Sequence, residues 1–456
     1  MATRIPSSFN VNRRMFNKLA LSSAVTLMAS ASWQRSVFAA DDKLVPYKAA
    51  NLDWKQFDGT EIALSGATHP WSSAILPLLP LFTELTGIKV KTDFQSESEF
   101  LTSLPIKLGA GSATPDVFMF LSYGQGIGAG WLEPVDAYYA DKALCDLAWY
   151  EEDDILGAAR GFPVWSDKQR YAFPITAESQ IMFFNETMMN EKGQAVPNTF
   201  DELLTVAKAL KTDDVAGIAM RAKGSVGATA ASMGFLFSHG GQMVKDGRAA
   251  FDSPEGVAAM DMYGRLLREA GPIGIGTYDW YEVLNDYTQA ACACATDSSN
   301  FATTIGDPSK SRVAGKTIFR SLVSDSKHPS TPYMSCWQAC INSKSANKKA
   351  AFLFMLWATS KPTAALASAA GLATTRSSGW SSEAFKKAFG AQAADAALSS
   401  LSTANVSFSK AALFHPQASQ IFDAFAIATN EIVTANVPAA KALKRGAEKA
   451  NAAIRL

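Results

Sequence analysis

The chain has 456 residues, 48% of them hydrophobic, and 42 Lys and Arg balance 42 Asp and Glu to a formal net charge of zero. That balance argues against nucleic acid or an anionic membrane surface as partner, since both are bound through surplus positive charge. It suits a neutral or weakly charged small ligand.

In chain order, the first feature is a leader expected over residues 1–39. Asn12-Arg13-Arg14-Met15-Phe16-Asn17-Lys18 resembles the twin-arginine export motif and departs from it at Asn12 and Asn17. A moderately apolar stretch, Leu19 to Ala31, follows, then Arg35 and the small-residue site Val37-Phe38-Ala39. This stretch is too short to span a bilayer as a stable helix, and cleavage is expected after Ala39. An ordinary secretory leader is the alternative; the long lead-in, the weak apolar core and Arg35 favour the twin-arginine route. No cysteine precedes Cys145, so the expected mature protein lies free in a periplasm without a lipid anchor. No later stretch approaches 18 consecutive apolar residues.

Beyond the leader, short apolar runs alternate with helical periods. Strands are expected at 62–65, 90–94 and 117–121, and helices at 73–86 and 97–108. Such alternation implies a largely parallel sheet with helices on both faces. Gln180–Phe184 reads as a further strand, with Glu178 on a short loop before it. Thr199 and Glu202 read as a capping box, each side chain satisfying a free backbone N–H at a helix start. Ser253-Pro254-Glu255 opens a helix expected to run to Ala270 and stop at Gly271. A helix from Ala346 to Thr359 is closed by Ser360-Lys361-Pro362, and the Ala-rich stretches at 364–373 and 391–397 read as helix.

The motifs for chemistry are weak. Gly124-Gln125-Gly126-Ile127-Gly128-Ala129 fits a permissive dinucleotide fingerprint but lies after the third strand, so a strand–helix loop is expected. Lys310 stands where a phosphate loop ending in Gly315-Lys316-Thr317 needs glycine, so ATP hydrolysis belongs to another subunit. Glu151-Glu152-Asp153-Asp154 reads as a solvated acidic run at a helix start rather than a catalytic pair. His69, His239, His328 and His415 are too scattered to hold a metal, and no Gly-x-Ser-x-Gly elbow occurs. Cys292-x-Cys294 and Cys336-x-x-x-Cys340 lack the Cys-x-x-Cys turn that grips zinc. With Cys145 they are expected to be buried small side chains or to form one disulfide. No cofactor is expected.

The segment Phe173-Pro174-Ile175-Thr176-Ala177-Glu178 to Phe184-Asn185, followed by Val196-Pro197-Asn198-Thr199-Phe200-Asp201-Glu202-Leu203, resembles the hinge and second-lobe entry of the maltose-binding-protein-like, family 1 extracellular solute-binding proteins. Three further stretches carry the resemblance. They are Tyr278-Asp279-Trp280 with Ala290–Asp297, the run from Ser335-Cys336-Trp337 to Trp357, and Gly371-Leu372-Ala373-Thr374-Thr375-Arg376-Ser377. The resemblance implies an α/β, two-lobed periplasmic binding protein fold of type II, with discontinuous lobes joined by a hinge. Lobe one would comprise 40–176 and 338–374, and lobe two 177–337 and 375–456. It further implies the ligand-capturing subunit of an ABC sugar importer, working as a monomer with permease transmembrane subunits and a separate ATPase subunit. No reaction is implied.

Ligands of open α/β sheets sit beyond the C-terminal ends of strands. Sugar C–H faces pack on aromatic rings, and a buried unpaired hydroxyl costs roughly 1–3 kcal/mol. The expected ligand-binding residues are therefore His69, Trp71, Ser96, Tyr123, Gln125, Glu178, Trp280, Asn300, Trp337 and Arg376. Glu178, Trp337 and Arg376 are selected through the family motifs at the lobe junctions. The alternatives are a periplasmic carbohydrate-active enzyme using Glu178 with a second acid, and capture of an acidic, amine or iron ligand on the same fold.

Overall fold

A computed structural model describes residues 43–454, so the leader and its arginine pair lie outside the described residues. Residues 43–50 carry a one-turn helix, Val45–Lys48, in a small unit of their own. The remainder, 51–454, is built on two five-stranded sheets and one hairpin.

The strands are β1 (Glu61–Ala67), β2 (Lys89–Gln95), β3 (Val117–Phe120), β4 (Phe173–Pro174), β5 (Glu178–Asn185), β6 (Ala216–Ala219), β7 (Val244–Lys245), β8 (Arg248–Ala249), β9 (Cys292–Ser298), β10 (Thr317–Ser321), β11 (Met334–Ser335) and β12 (Gln338–Ile341). The first sheet has the order β2-β1-β3-β12-β4; β1 is parallel to both neighbours, and β12 is antiparallel to β3 and β4. The second has the order β10-β5-β9-β6, with β11 also pairing with β5. Central strands read as unbroken apolar runs because both faces are covered: β3 and β5 are buried at every position. The edge strand β2 carries Lys89, Lys91 and Asp93 exposed, which blunts edge-to-edge pairing. The chain passes from the first sheet to the second between Pro174 and Glu178, and returns between Ser335 and Gln338. Backbone bonds tie the two passages together: Ile175 N–H donates to the Trp337 carbonyl at 2.8 Å, and Ala177 N–H to Ala373 at 3.1 Å.

Several expectations need correction. The helix expected at 73–86 is three pieces, Pro70–Ile75, Leu76–Leu78 and Leu79–Thr86. It begins early because His69 caps it, and Pro77 and Pro80 each remove a helical donor. Glu178 is not on a loop but opens β5, buried. Half of the capping box forms. Thr199 Oγ accepts from Glu202 N–H, while the Glu202 carboxylate reaches one residue further back, to Asn198 N–H at 2.7 Å. The 124–129 stretch is helical, Tyr123–Gly128, rather than a loop. Its Gly124 is required by a close approach, since a Cβ there would sit 2.1 Å from the Phe414 carbonyl oxygen. Ser360 caps the next helix, Lys361–Ala369, rather than merely closing the preceding one, Lys348–Ala358. Nor is the acidic run simply solvated. Glu152 pairs with Arg170 at 2.7 Å, Glu151 with Lys361 at 2.7 Å, Asp153 with Arg160, and Asp154 accepts from Ser378.

All five cysteines are buried and unpaired, and burial pushes the Cys292 and Cys294 thiols well above their usual range. Of the two readings of the cysteines, the structure takes the small buried side chain. A thiol titration should therefore find about five reactive groups in denaturant and essentially none in the native protein. A disulfide, seen as fewer thiols after denaturation without reductant, would contradict this.

Candidate functional site

The C-terminal ends of β1, β2, β3, β6 and β9 converge with the start of β5 on one cavity of about 90 Å³. Two buried charge clusters line it.

The first joins His69, beyond β1, to Glu178 of β5. His69 adopts extended backbone as the N-cap of Pro70–Ile75, and its Nδ1 accepts from Trp71 N–H at 3.1 Å. With Nδ1 occupied as acceptor, the neutral ring carries its proton on Nε2, which lies 3.1 Å from Glu178 Oε1. Thr176 Oγ donates to the same carboxylate at 2.8 Å and Ser298 Oγ at 2.5 Å. Burial alone would raise the Glu178 pKa, but His69, Ser298 and Thr176 outweigh it and hold the group below the usual carboxylate value.

Arg221, two residues beyond β6, centres the second cluster. It grips Asp297 of β9 with Nε at 2.7 Å and Nη2 at 2.5 Å, and its Nη1 donates to the Gly227 carbonyl at 2.6 Å. Asp279 lies 3.8 Å from Nη1 and caps the helix Trp280–Thr288. Burial opposes the guanidinium charge, yet Asp297 and Asp279 raise its pKa further. Glu97 completes the cluster from the first turn of the helix Glu97–Gly109 that follows β2. Its side chain is buried, lines the cavity, and has no hydrogen-bond donor among the described residues. Burial pushes its pKa up to about 7, with Asp279 and Glu178 adding and Arg221 and His69 opposing. The two acids thus have opposite pH signatures. The Glu178 contribution to stability is lost as pH falls, whereas that of Glu97 is lost as pH rises from 4.5 towards 7.

Trp280, Trp337, Phe301 and Tyr333 supply apolar wall. The Trp337 ring lies 5.5 Å from that of His69, and its backbone N–H donates to Thr176 Oγ at 3.3 Å. Three buried polar atoms of lining residues lack a partner: Trp280 Nε1, Asn300 Nδ2 and Gln180 Oε1. Asn300 Oδ1 is committed to Ala373 N–H at 3.1 Å, which orients the free amide nitrogen.

Of the residues expected from sequence, His69, Glu178, Trp280, Asn300 and Trp337 line this cavity. Trp71, Ser96, Tyr123, Gln125 and Arg376 are placed elsewhere. Trp71 is buried and lines a separate, smaller cavity with Pro174 and Thr375. Ser96 Oγ caps its helix and bonds Glu99 at 2.7 Å. Tyr123 stacks on Phe414 at 5.2 Å, and Gln125 accepts from Ser419 Oγ at 2.9 Å. Arg376 is fully buried over the Tyr150 ring, donating to the carbonyls of Thr359 at 2.9 Å and Glu151 at 2.7 Å. Sequence reasoning missed Glu97, Arg221, Asp279 and Asp297. Arg221 and Asp297 lie at strand ends, where the rule that selected His69 would have reached them.

Two sheets joined by paired crossing segments, with a polar cavity at the strand ends, define a two-lobed binding protein of the type II class. The chain belongs to a known family: residues 66–365 match the model of the bacterial extracellular solute-binding proteins. Among curated relatives, the erythritol/L-threitol-binding protein of Mycolicibacterium smegmatis is 26% identical over 334 residues, covering 68% of this chain and 69% of that one. The mannitol-binding protein of Pseudomonas aeruginosa is 31% identical over 239 residues, 51% of this chain and 52% of that one. Among solved structures, an ABC transporter solute-binding protein of Agrobacterium radiobacter in complex with ribitol superposes with a TM-score of 0.79 at 21% identity, over 87% of this chain and 99% of that one. A solute-binding protein of Agrobacterium vitis with D-mannitol bound gives 0.76 at 22% identity, over 87% and 99%.

The Arg221–Asp297 pair is buried on both sides, so breaking it strands a charge. Arg221→Leu should lower unfolding stability by about 3–5 kcal/mol in denaturant melts, and Arg221→Leu with Asp297→Leu should recover much of that. A single-variant loss below about 1 kcal/mol would show that water reaches the pair.

Proposed function

We propose that this protein is the extracytoplasmic solute-binding subunit of an ABC importer and captures a small polyhydroxylated solute of the alditol class. The observation that carries this reading is the character of the cavity. It offers carboxylate acceptors at Glu97 and Glu178, an unpartnered amide nitrogen at Asn300, an unpartnered indole N–H at Trp280, and aromatic walls at Trp280 and Trp337. A chain of hydroxyls needs both donors and acceptors together with apolar walls for its C–H groups. The size agrees. A water position takes about 10–15 Å³, so about 90 Å³ matches an alditol of roughly four to six carbons better than a disaccharide. Relatives named for erythritol, threitol and mannitol support the same class.

In this reading lobe one comprises 40–176 and 338–374 and lobe two 177–337 and 375–456, with the hinge at the crossings near 176, 337 and 375. The ligand favours the closed state by touching groups of both lobes at once. The closed form then docks on a permease whose ATPase is a separate subunit, and the solute is released unchanged.

Thermal shift and calorimetry on the mature chain with erythritol, ribitol, mannitol and maltose test the ligand class. At least one alditol should bind with Kd below about 10 µM and raise Tm by mass action, and maltose should not. Binding of maltose alone, or of none of the four, would reject the alditol reading.

The same proposal places the mature protein in a periplasm after export through the twin-arginine leader, free of a lipid anchor. Replacing Arg13 and Arg14 together by Lys should leave precursor in the cytoplasm. Undiminished mature protein in the periplasmic fraction would assign the leader to the general secretory route instead.

A further inference from the structure

The cavity carries more negative charge than it neutralises. Asp297 is matched by Arg221, and Asp279 lies against the N-terminus of its helix. Glu178 is matched by hydrogen bonds from His69, Thr176 and Ser298. Glu97 is left over. It faces Arg221 beyond β6, Asp279 on the Trp280–Thr288 helix, His69 beyond β1 and Glu178 on β5, so the nearest cation already belongs to Asp297. Its side chain is buried and has no hydrogen-bond donor among the described residues. A carboxylate left without a partner in a cavity is costly; a proton, hydroxyl donors or a cationic ligand group relieve it, and of the ligand groups only the cation also cancels its charge. A neutral alditol leaves that surplus in place, and an anionic sugar acid adds to it. Trp280 and Tyr333 line the same cavity with aromatic rings, of the kind that attract an ammonium ion.

We propose that the preferred ligand is a polyhydroxylated amine, its ammonium group held by Glu97 and its hydroxyls by Asn300 and Trp280. This rests on the alditol reading above and assigns the charge of the ligand. Glu97 is then the residue that ranks amine over alditol over sugar acid.

The experiment is calorimetry with three matched probes: a hexitol, its 1-amino-1-deoxy derivative and the corresponding hexonate. At about pH 8 the amine should bind at least tenfold tighter than the hexitol, and the hexonate at least tenfold weaker, each tenfold being about 1.4 kcal/mol. Amine affinity should rise from about pH 6 to pH 8, because Glu97 must lose its proton to pair with the ammonium, while hexitol affinity should not rise. Glu97→Gln should abolish the preference for the amine and flatten its pH profile, and Glu97→Asp, which keeps the charge, should retain the ranking. Circular dichroism and Tm establish that both variants fold. If Glu97→Gln does not fold, the wild-type ranking and pH profile decide. Hexitol binding with an equal or weaker amine overturns this proposal and leaves the alditol reading standing. So does an amine preference that survives in folded Glu97→Gln. Failure of all three probes overturns this proposal, and overturns the alditol reading as well only if erythritol and ribitol also fail to bind.

Discussion

A buried carboxylate is costly unless something holds its charge, and much of this molecule's architecture follows from how three of the four in and beside one cavity are held. Asp297 takes a guanidinium in a two-pronged grip. That grip anchors the chain beyond β6, whose position is fixed again by Tyr263 donating to the Arg221 carbonyl at 2.5 Å. Asp279 takes a helix N-terminus, which sets the start of the helix carrying Trp280. Glu178 takes three donors from three separate segments: the β1 loop, the crossing at Thr176 and the end of β9. Each solution pins a different element to the same point, so the wall is preorganised by its own electrostatics. Glu97 is the one of the four left without such a partner.

These contacts also bridge the two sheets. His69 follows a strand of the first sheet and Glu178 opens a strand of the second, and their contact spans 3.1 Å. Glu97 follows β2 of the first sheet and faces Arg221 and Asp279 beside the second. The chain links the sheets through segments bonded side by side at Thr176 and Trp337. In a two-lobed fold, rotation about such a joint separates His69 from Glu178 and Glu97 from Arg221. Both acids then gain water.

The sequence showed the frame more readily than the site. Strands β1, β2, β3 and β5 were legible because apolar runs, turn residues and caps are local signals, and the errors at Pro70–Thr86 came from a side-chain cap and two prolines competing with helical period. His69 was legible for a physical reason, as a polar residue just beyond a strand end. Arg376 was selected through a motif, and motif membership says nothing about direction. Its side chain turns inward to two carbonyls and a Tyr150 ring. Ser96 and Glu97 show the opposite failure. The capping pair Ser96 and Glu99 accounts fully for the helix start, so the intervening Glu97 drew no attention, although it is the residue that enters the cavity. Arg221 and Asp297 could not be paired from sequence, because only the parallel contact between β6 and β9 brings them together.

Outside the cavity lining, an aromatic cluster makes contacts of a different kind. The Phe414 ring lies between Tyr123, at 5.2 Å and 14°, and Trp165, at 5.4 Å and 16°, with Phe162 edge-on at 5.8 Å. Lys410 sits 4.6 Å above the Phe414 ring and donates to the carbonyls of Gly161 and Val164. Tyr123 follows a strand of the first sheet, whereas the Val406–Leu413 helix that carries Lys410 packs beside β7, β11 and the Ala418–Thr434 helix. Each aromatic pair contributes about 0.5–1.5 kcal/mol beyond its buried area. Such a clamp has no need of a ligand, while the acid cluster is relieved only by a proton or by a group that satisfies it. The clamp therefore acts whether or not the cavity is occupied, whereas the cluster responds to what occupies it. A solute that satisfies the cavity's unpaired atoms can move a two-state equilibrium only by its differential contact with the two states.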